Sequence, residues 1–104
     1  MIDGLDGRLA ELAALRQTVT YGALVRDLAI PGPGAIAKLT AALESLMLAD
    51  ADAGLPLRAV LCAARLTHGL PAPGFFAAAQ ALGRYHGTDP AAFVAAEREK
   101  LFTS

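Results

Sequence analysis

Residues 35–50, AIAKLTAALESLMLAD, place Ile36, Leu39, Leu43 and Leu46 at steps of three and four residues. That spacing predicts an amphipathic helix over Ala35–Asp50 with one apolar stripe turned to a core, while Lys38, Ala41 and Ser45 fall on another face, free to meet a partner. Working back from it, Ile30-Pro31-Gly32-Pro33-Gly34 cannot continue a helix: each proline biases the residue before it towards extended backbone, and the glycines permit a tight turn. Before this turn, Thr20 is placed to cap a short helix through Leu28 whose apolar side is Leu24, Val25 and Leu28. Thr18-Val19-Thr20-Tyr21 just ahead of it is a β-favouring run. At the N-terminus Asp3 or Asp6 caps a first helix to about Gln17, with Leu5, Leu9, Leu12 and Leu15 inward.

Beyond residue 50, Asp50, Asp52 and Gly54 end the long helix. Here the two aspartates read as capping and solvating groups. Pro56 then opens Leu57–Ala64, an apolar run of strand length that would pair with the Val19 strand. Arg65–Gly69 and Leu70–Gly74 read as a turn and an irregular arm. Phe75, Ala79 and Leu82 recur at helical spacing, Tyr85 continues the face and Gly87 supplies a stop. Asp89-Pro90 starts a last helix to about Phe102, with Phe93, Ala96 and Leu101 inward and Glu97–Lys100 forming a solvated face. The expected fold is therefore mainly α with a small β-sheet: one domain over residues 1–104, in which residues 18–75 form a winged helix-turn-helix-like core and residues 76–104 form two helices packed on it.

Composition bounds the function. A chain of 104 residues, 55% hydrophobic, has the material for one core. Its formal net charge of −1 offers no general attraction to phosphate, so nucleic-acid binding requires a local cationic patch. A single Cys excludes an internal disulfide, no Cys/His cluster has metal-ligand spacing, and the N-terminus lacks the pattern of a signal peptide, which together suit the cytoplasm. Cys62 sits in an apolar run and reads as a small core residue. His68 and His86 lie beside glycines and read as solvated turn residues. Gly32-Pro33-Gly34 lacks the Lys and Ser/Thr of a phosphate loop. No catalytic group, metal site or cofactor site is expected.

Thr20-Tyr21-Gly22, two successive helices, Pro56-Leu57-Arg58-Ala59-Val60-Leu61 and the arm ending Gly74-Phe75 resemble the C-terminal winged-helix domain of alkylguanine-DNA alkyltransferases and alkyltransferase-like proteins. That family carries Pro-Cys-His-Arg-Val where this chain has Pro56 to Val60, or Trp in place of the Cys in the alkyltransferase-like branch. Leu57 therefore stands at the acceptor-cysteine position, Arg58 at the histidine and Ala59 at the arginine. The family's base-stack arginine falls on Gly34 or Lys38. The resemblance implies the fold and a DNA partner without alkyl-transfer chemistry. Thr-Tyr-Gly followed by Gly69-Leu70-Pro71-x-x-Gly74-Phe75 is also similar to small winged modules found beside nucleases.

From this reading, duplex DNA would meet Lys38, Thr40 and Ser45 on the long helix and Arg58, Arg65 and His68 on the strand and arm. The rival reading is a protein-interaction module or homodimer, non-catalytic in either case and with no membrane partner. Phe75-Phe76 motivates it: adjacent helical residues point about 100° apart, so both are buried only where a helix is covered on two sides.

Overall fold

The structure, a computed structural model, describes residues 2–103; Met1 and Ser104, the two ends of the 1–104 unit read from the sequence, lie outside it. Among the described residues, five α-helices and one two-stranded parallel sheet make up a mainly helical globule with a Cα radius of gyration of 12.7 Å, close to the ~13 Å expected for a compact chain of this length. In chain order these are α1 (Leu5–Ala14), β1 (Val19–Thr20), α2 (Tyr21–Asp27), α3 (Ala35–Asp52), a 3-10 turn (Arg58–Leu61), β2 (Cys62–Ala63), α4 (Pro73–Ala81) and α5 (Pro90–Phe102). No helix of the described residues is long and apolar enough to cross a membrane.

Local chemistry sets most of the boundaries. The Thr20 hydroxyl accepts from the Ala23 amide at 3.1 Å and starts α2, and the Asp89 carboxylate accepts from the Ala92 amide at 3.1 Å and starts α5 with Pro90 in its first turn. Four helices close with the same paired hydrogen bonds around a left-handed residue. At the end of α3, Gly54 (φ 70°) donates to the Ala51 carbonyl and Leu55 to that of Asp50. Gly83 closes α4 in the same way, whereas Arg16 and Ala29 take the left-handed position after α1 and α2. This closure corrects two expectations. Helix α1 ends at Ala14 rather than near Gln17, and Leu15 is left exposed. Helix α4 ends at Ala81 rather than at Gly87, with Tyr85 folded back so that its amide reaches the Ala79 carbonyl.

The core is organised around residues 57–63. Leu57, Ala59, Val60, Leu61, Cys62 and Ala63 are all buried, and the 3-10 turn packs against α1, α3 and α5. The sequence reading of Leu57–Ala64 as a strand holds only for its end. Val19 pairs with Cys62 and Thr20 with Ala63, in parallel, while Arg58–Leu61 coils. The reason is tertiary. The backbone amides of Leu57 and Arg58 are satisfied by carboxylates from other helices, Glu97 at 3.3 Å and Asp50 at 3.0 Å, instead of by a neighbouring strand.

Those carboxylates correct a further expectation. Asp50 is 1% and Glu97 2% exposed, although both read as solvated from the sequence. Glu97 also pairs with Arg84 at 3.0 Å and Lys100 at 3.1 Å. On α3 the buried positions are Leu39, Leu43, Met47 and Asp50. Leu46 is half-buried and Ile36 exposed, because the side of the helix that packs on the 3-10 turn runs through Leu39, Leu43, Met47 and Asp50. On α5, Val94 rather than Ala96 is buried. Phe75 and Phe76 meet at 5.3 Å between ring centroids. Tyr85 stacks at a tilt on Phe76 at 5.4 Å and on Phe93 at 5.1 Å, so the pair is covered from both sides by the chain's own aromatic residues.

Candidate nucleic-acid interface

The six residues read as DNA contacts do not share one surface. Lys38 and Ser45 line a groove between α3 and the start of α1, together with Ile2, Asp6 and Leu46. Lys38 Nζ donates to the Pro31 carbonyl at 3.2 Å, and the Ser45 hydroxyl donates to the Ala41 carbonyl of its own helix at 3.2 Å. Thr40 borders a separate small crevice with Tyr21, Glu44 and Phe75. Arg58 points inward: its Nε donates to the Asp50 carboxylate at 3.0 Å, Nη2 lies 3.0 Å from the same group, and Nη1 is 3.7 Å from Asp6. The hydrogen bond to Asp50 raises the Arg58 pKa above its ordinary value, so its charge is permanent but already neutralised.

Arg65 lies in another groove, bounded by Thr20, Tyr21 and Gly22 at the start of α2, Arg26 at its end, Ile36 at the exposed start of α3, and Ala63. His68 is exposed on the turn that follows. The groove exists because the parallel β1–β2 pairing holds the entry to α2 beside the exit of the 3-10 turn, and the chain then leaves β2 as the arm.

The arm is held in place along its length. Ala64 donates its amide to the Leu70 carbonyl at 2.9 Å, and the Thr67 hydroxyl lies 2.7 Å and 2.5 Å from the carbonyls of Ala64 and Leu70. From α5, Arg98 donates to the carbonyls of Val60 and Gly69, both at 2.8 Å. Burial lowers the Arg98 pKa from its ordinary value. At the far end, the Tyr21 hydroxyl accepts from the Ala72 amide at 3.2 Å, and burial pushes its pKa up.

Among the nine Lys and Arg side chains, the pattern of pairing singles out this groove. Arg8 pairs with Asp27 and Glu11, Arg16 with Glu99, Arg58 with Asp50, Arg84 and Lys100 with Glu97; Lys38 and Arg98 are satisfied by carbonyls. Among the described residues, the Arg26 and Arg65 side chains make no hydrogen bond or ion pair, and both border the same groove. Arg26 and Ile36 escaped the sequence reading, the first overlooked and the second assigned to the core. Their signal was present in part: no carboxylate stands three or four residues from Arg26 or from Arg65, so neither has a helical or turn partner within reach.

Cys62 is fully buried and its thiol is pushed up to about 12 by desolvation, which keeps it protonated and unreactive at neutral pH. Among the described residues no group of three or more His, Cys, Asp or Glu side chains is placed to hold a metal ion. Comparison of the chain with family models, with curated proteins and with solved structures found no match.

Proposed function

We propose that the chain is a non-catalytic, winged-helix-like DNA-binding module that grips the phosphate backbone through the groove between α2, the start of α3 and the arm. In this reading α2 and α3 form the helix-turn-helix, joined across residues 28–34, and residues 64–72 act as the wing. The observation that carries it is the convergence of Arg26 and Arg65, the two cations without a protein partner among the described residues, on one groove beside the exposed start of α3. Unpaired guanidinium groups retain their capacity for bidentate contacts to phosphate, and each such contact releases counterions. The contact set moves accordingly from Arg58 to Arg26, while Arg65 and His68 stay in it.

A second reading, self-association or binding of another protein, is favoured by apolar exposure: Ile36, which borders the groove, is 49% exposed and Leu66, next to Arg65 in the chain, 99%. One pair of experiments separates the two. Fluorescence anisotropy of a labelled mixed-sequence duplex, titrated with the protein at several salt concentrations, should show binding that weakens steeply as salt rises. Sedimentation velocity without DNA should show a monomer. A salt-independent dimer with no duplex binding reverses the order of the two readings.

A further inference from the structure

Leu66 is the most exposed of the large hydrophobic residues, at 99%, and it occupies the tip of the arm with a left-handed backbone (φ 60°). His68, two residues on, is also left-handed (φ 54°), and neither side chain is of a type that adopts this region without cost. The tip is not loose. Thr67 closes it between Ala64 and Leu70, and Arg98 anchors it from α5 through the Gly69 carbonyl. The fold therefore holds a bare leucine out in water, immediately after the unpaired Arg65, which itself borders the groove that contains Arg26.

An apolar side chain presented this way, on a braced arm and beside free cations, matches the wedges with which proteins part base steps from the minor groove while cations hold the flanking phosphates. Resting on the DNA-binding reading above, we infer that Leu66 is such a wedge: it enters the minor groove of the bound duplex and partly unstacks one base step. Charge complementarity selects the occupant, because an anionic backbone satisfies Arg65 and Arg26 at the moment the leucine leaves water, whereas an uncharged apolar partner would leave both cations unpaired. The bracing matters to the energetics, since a tip already fixed in its inserted conformation loses little conformational freedom on binding.

The sequence contains no Trp, so Leu66→Trp places a single indole reporter at the tip. The full-length variant is titrated with a mixed-sequence duplex at low salt while indole emission and acrylamide quenching are followed, with anisotropy of the labelled duplex reporting binding independently. Insertion predicts that emission falls and acrylamide access is lost as the duplex saturates. In parallel, Leu66→Ala should weaken binding about tenfold, the cost of one unburied leucine, and leave the salt slope unchanged. If anisotropy reports binding but the indole stays fully accessible, the wedge is refuted and the DNA-binding reading stands. If the wild-type chain gives no anisotropy change, both fall together. Loss of acrylamide access with rising protein concentration and no DNA assigns the tip to a second copy of the chain and overturns the inference.

Discussion

Arg58 closes a fork on Asp50: the carboxylate accepts the Arg58 backbone amide at 3.0 Å and its Nε at 3.0 Å, with Nη2 also 3.0 Å away, while only 1% of Asp50 is exposed. One side chain thus joins the last turn of α3 to the first residue of the 3-10 turn. Removing it leaves an amide and a guanidinium without their acceptor in a partly buried setting. Asp50→Ala should cost about 3 kcal/mol, read from urea denaturation midpoints, and lower the Tm by at least ~10 °C. Arg58→Ala should cost as much, because it strands the buried carboxylate. Loss of under ~1 kcal/mol in either variant would show that solvent reaches the site freely.

Glu97 is the corresponding clamp on α5. It accepts from the Leu57 amide at 3.3 Å and from Arg84 at 3.0 Å, with Lys100 at 3.1 Å on its other oxygen. Its partners differ in burial: Arg84 lies at the margin of the core, whereas the Lys100 side chain is 60% exposed. Glu97→Ala should destabilise by about 3 kcal/mol, and Lys100→Ala by no more than about 0.5 kcal/mol, both measured by thermal and urea unfolding.

Burial of Cys62 makes alkaline stability a test of the β1–β2 packing. Its thiol titrates at about 12 in the native state against 9.0 in the unfolded chain. Between these values the unfolded state binds fewer protons than the native one, so unfolding free energy falls as pH rises, with a slope approaching about 1.4 kcal/mol per pH unit from this group. Tyr21, also raised by burial, adds to the fall above its ordinary value of 10.0. Cys62→Ala should flatten the slope from about pH 9 up towards pH 12, and native Cys62 should react with a thiol reagent only at the rate of unfolding.

The groove cations give a test that stability measurements do not. Arg26→Ala and Arg65→Ala should each lower the slope of log affinity against log salt by about 0.9 for a duplex, and together weaken binding at least ~10-fold at low salt. Arg16→Ala, whose side chain pairs with Glu99, should leave both quantities unchanged. Equal effects from all three variants would mean that only net charge is sensed.

What was legible in the sequence was whatever depends on neighbours along the chain. Thr20 and Asp89-Pro90 start their helices as read, because a cap needs only an amide three residues away. Leu39 and Leu43 face the core and Val19 pairs with residues of the apolar run, since the periodicity of one element states which side it must cover. The pairing of Phe75-Phe76 was legible as a problem, though its solution, Tyr85 and Phe93, was not.

Tertiary structure decided the rest. Leu57–Leu61 has the composition of a strand, but its first two amides meet carboxylates carried by α3 and α5, eight and forty residues away from the amides they accept, and the segment coils instead of extending. The same assembly took Asp50 and Glu97 out of water and paired Arg58 with Asp50. It also brought Arg26 and Arg65 to one groove, thirty-nine positions apart in the chain. Local propensity is a matter of tenths of a kcal/mol per residue, whereas an unsatisfied buried amide or charge costs several. Where the two compete, the partner supplied from across the fold determines the outcome.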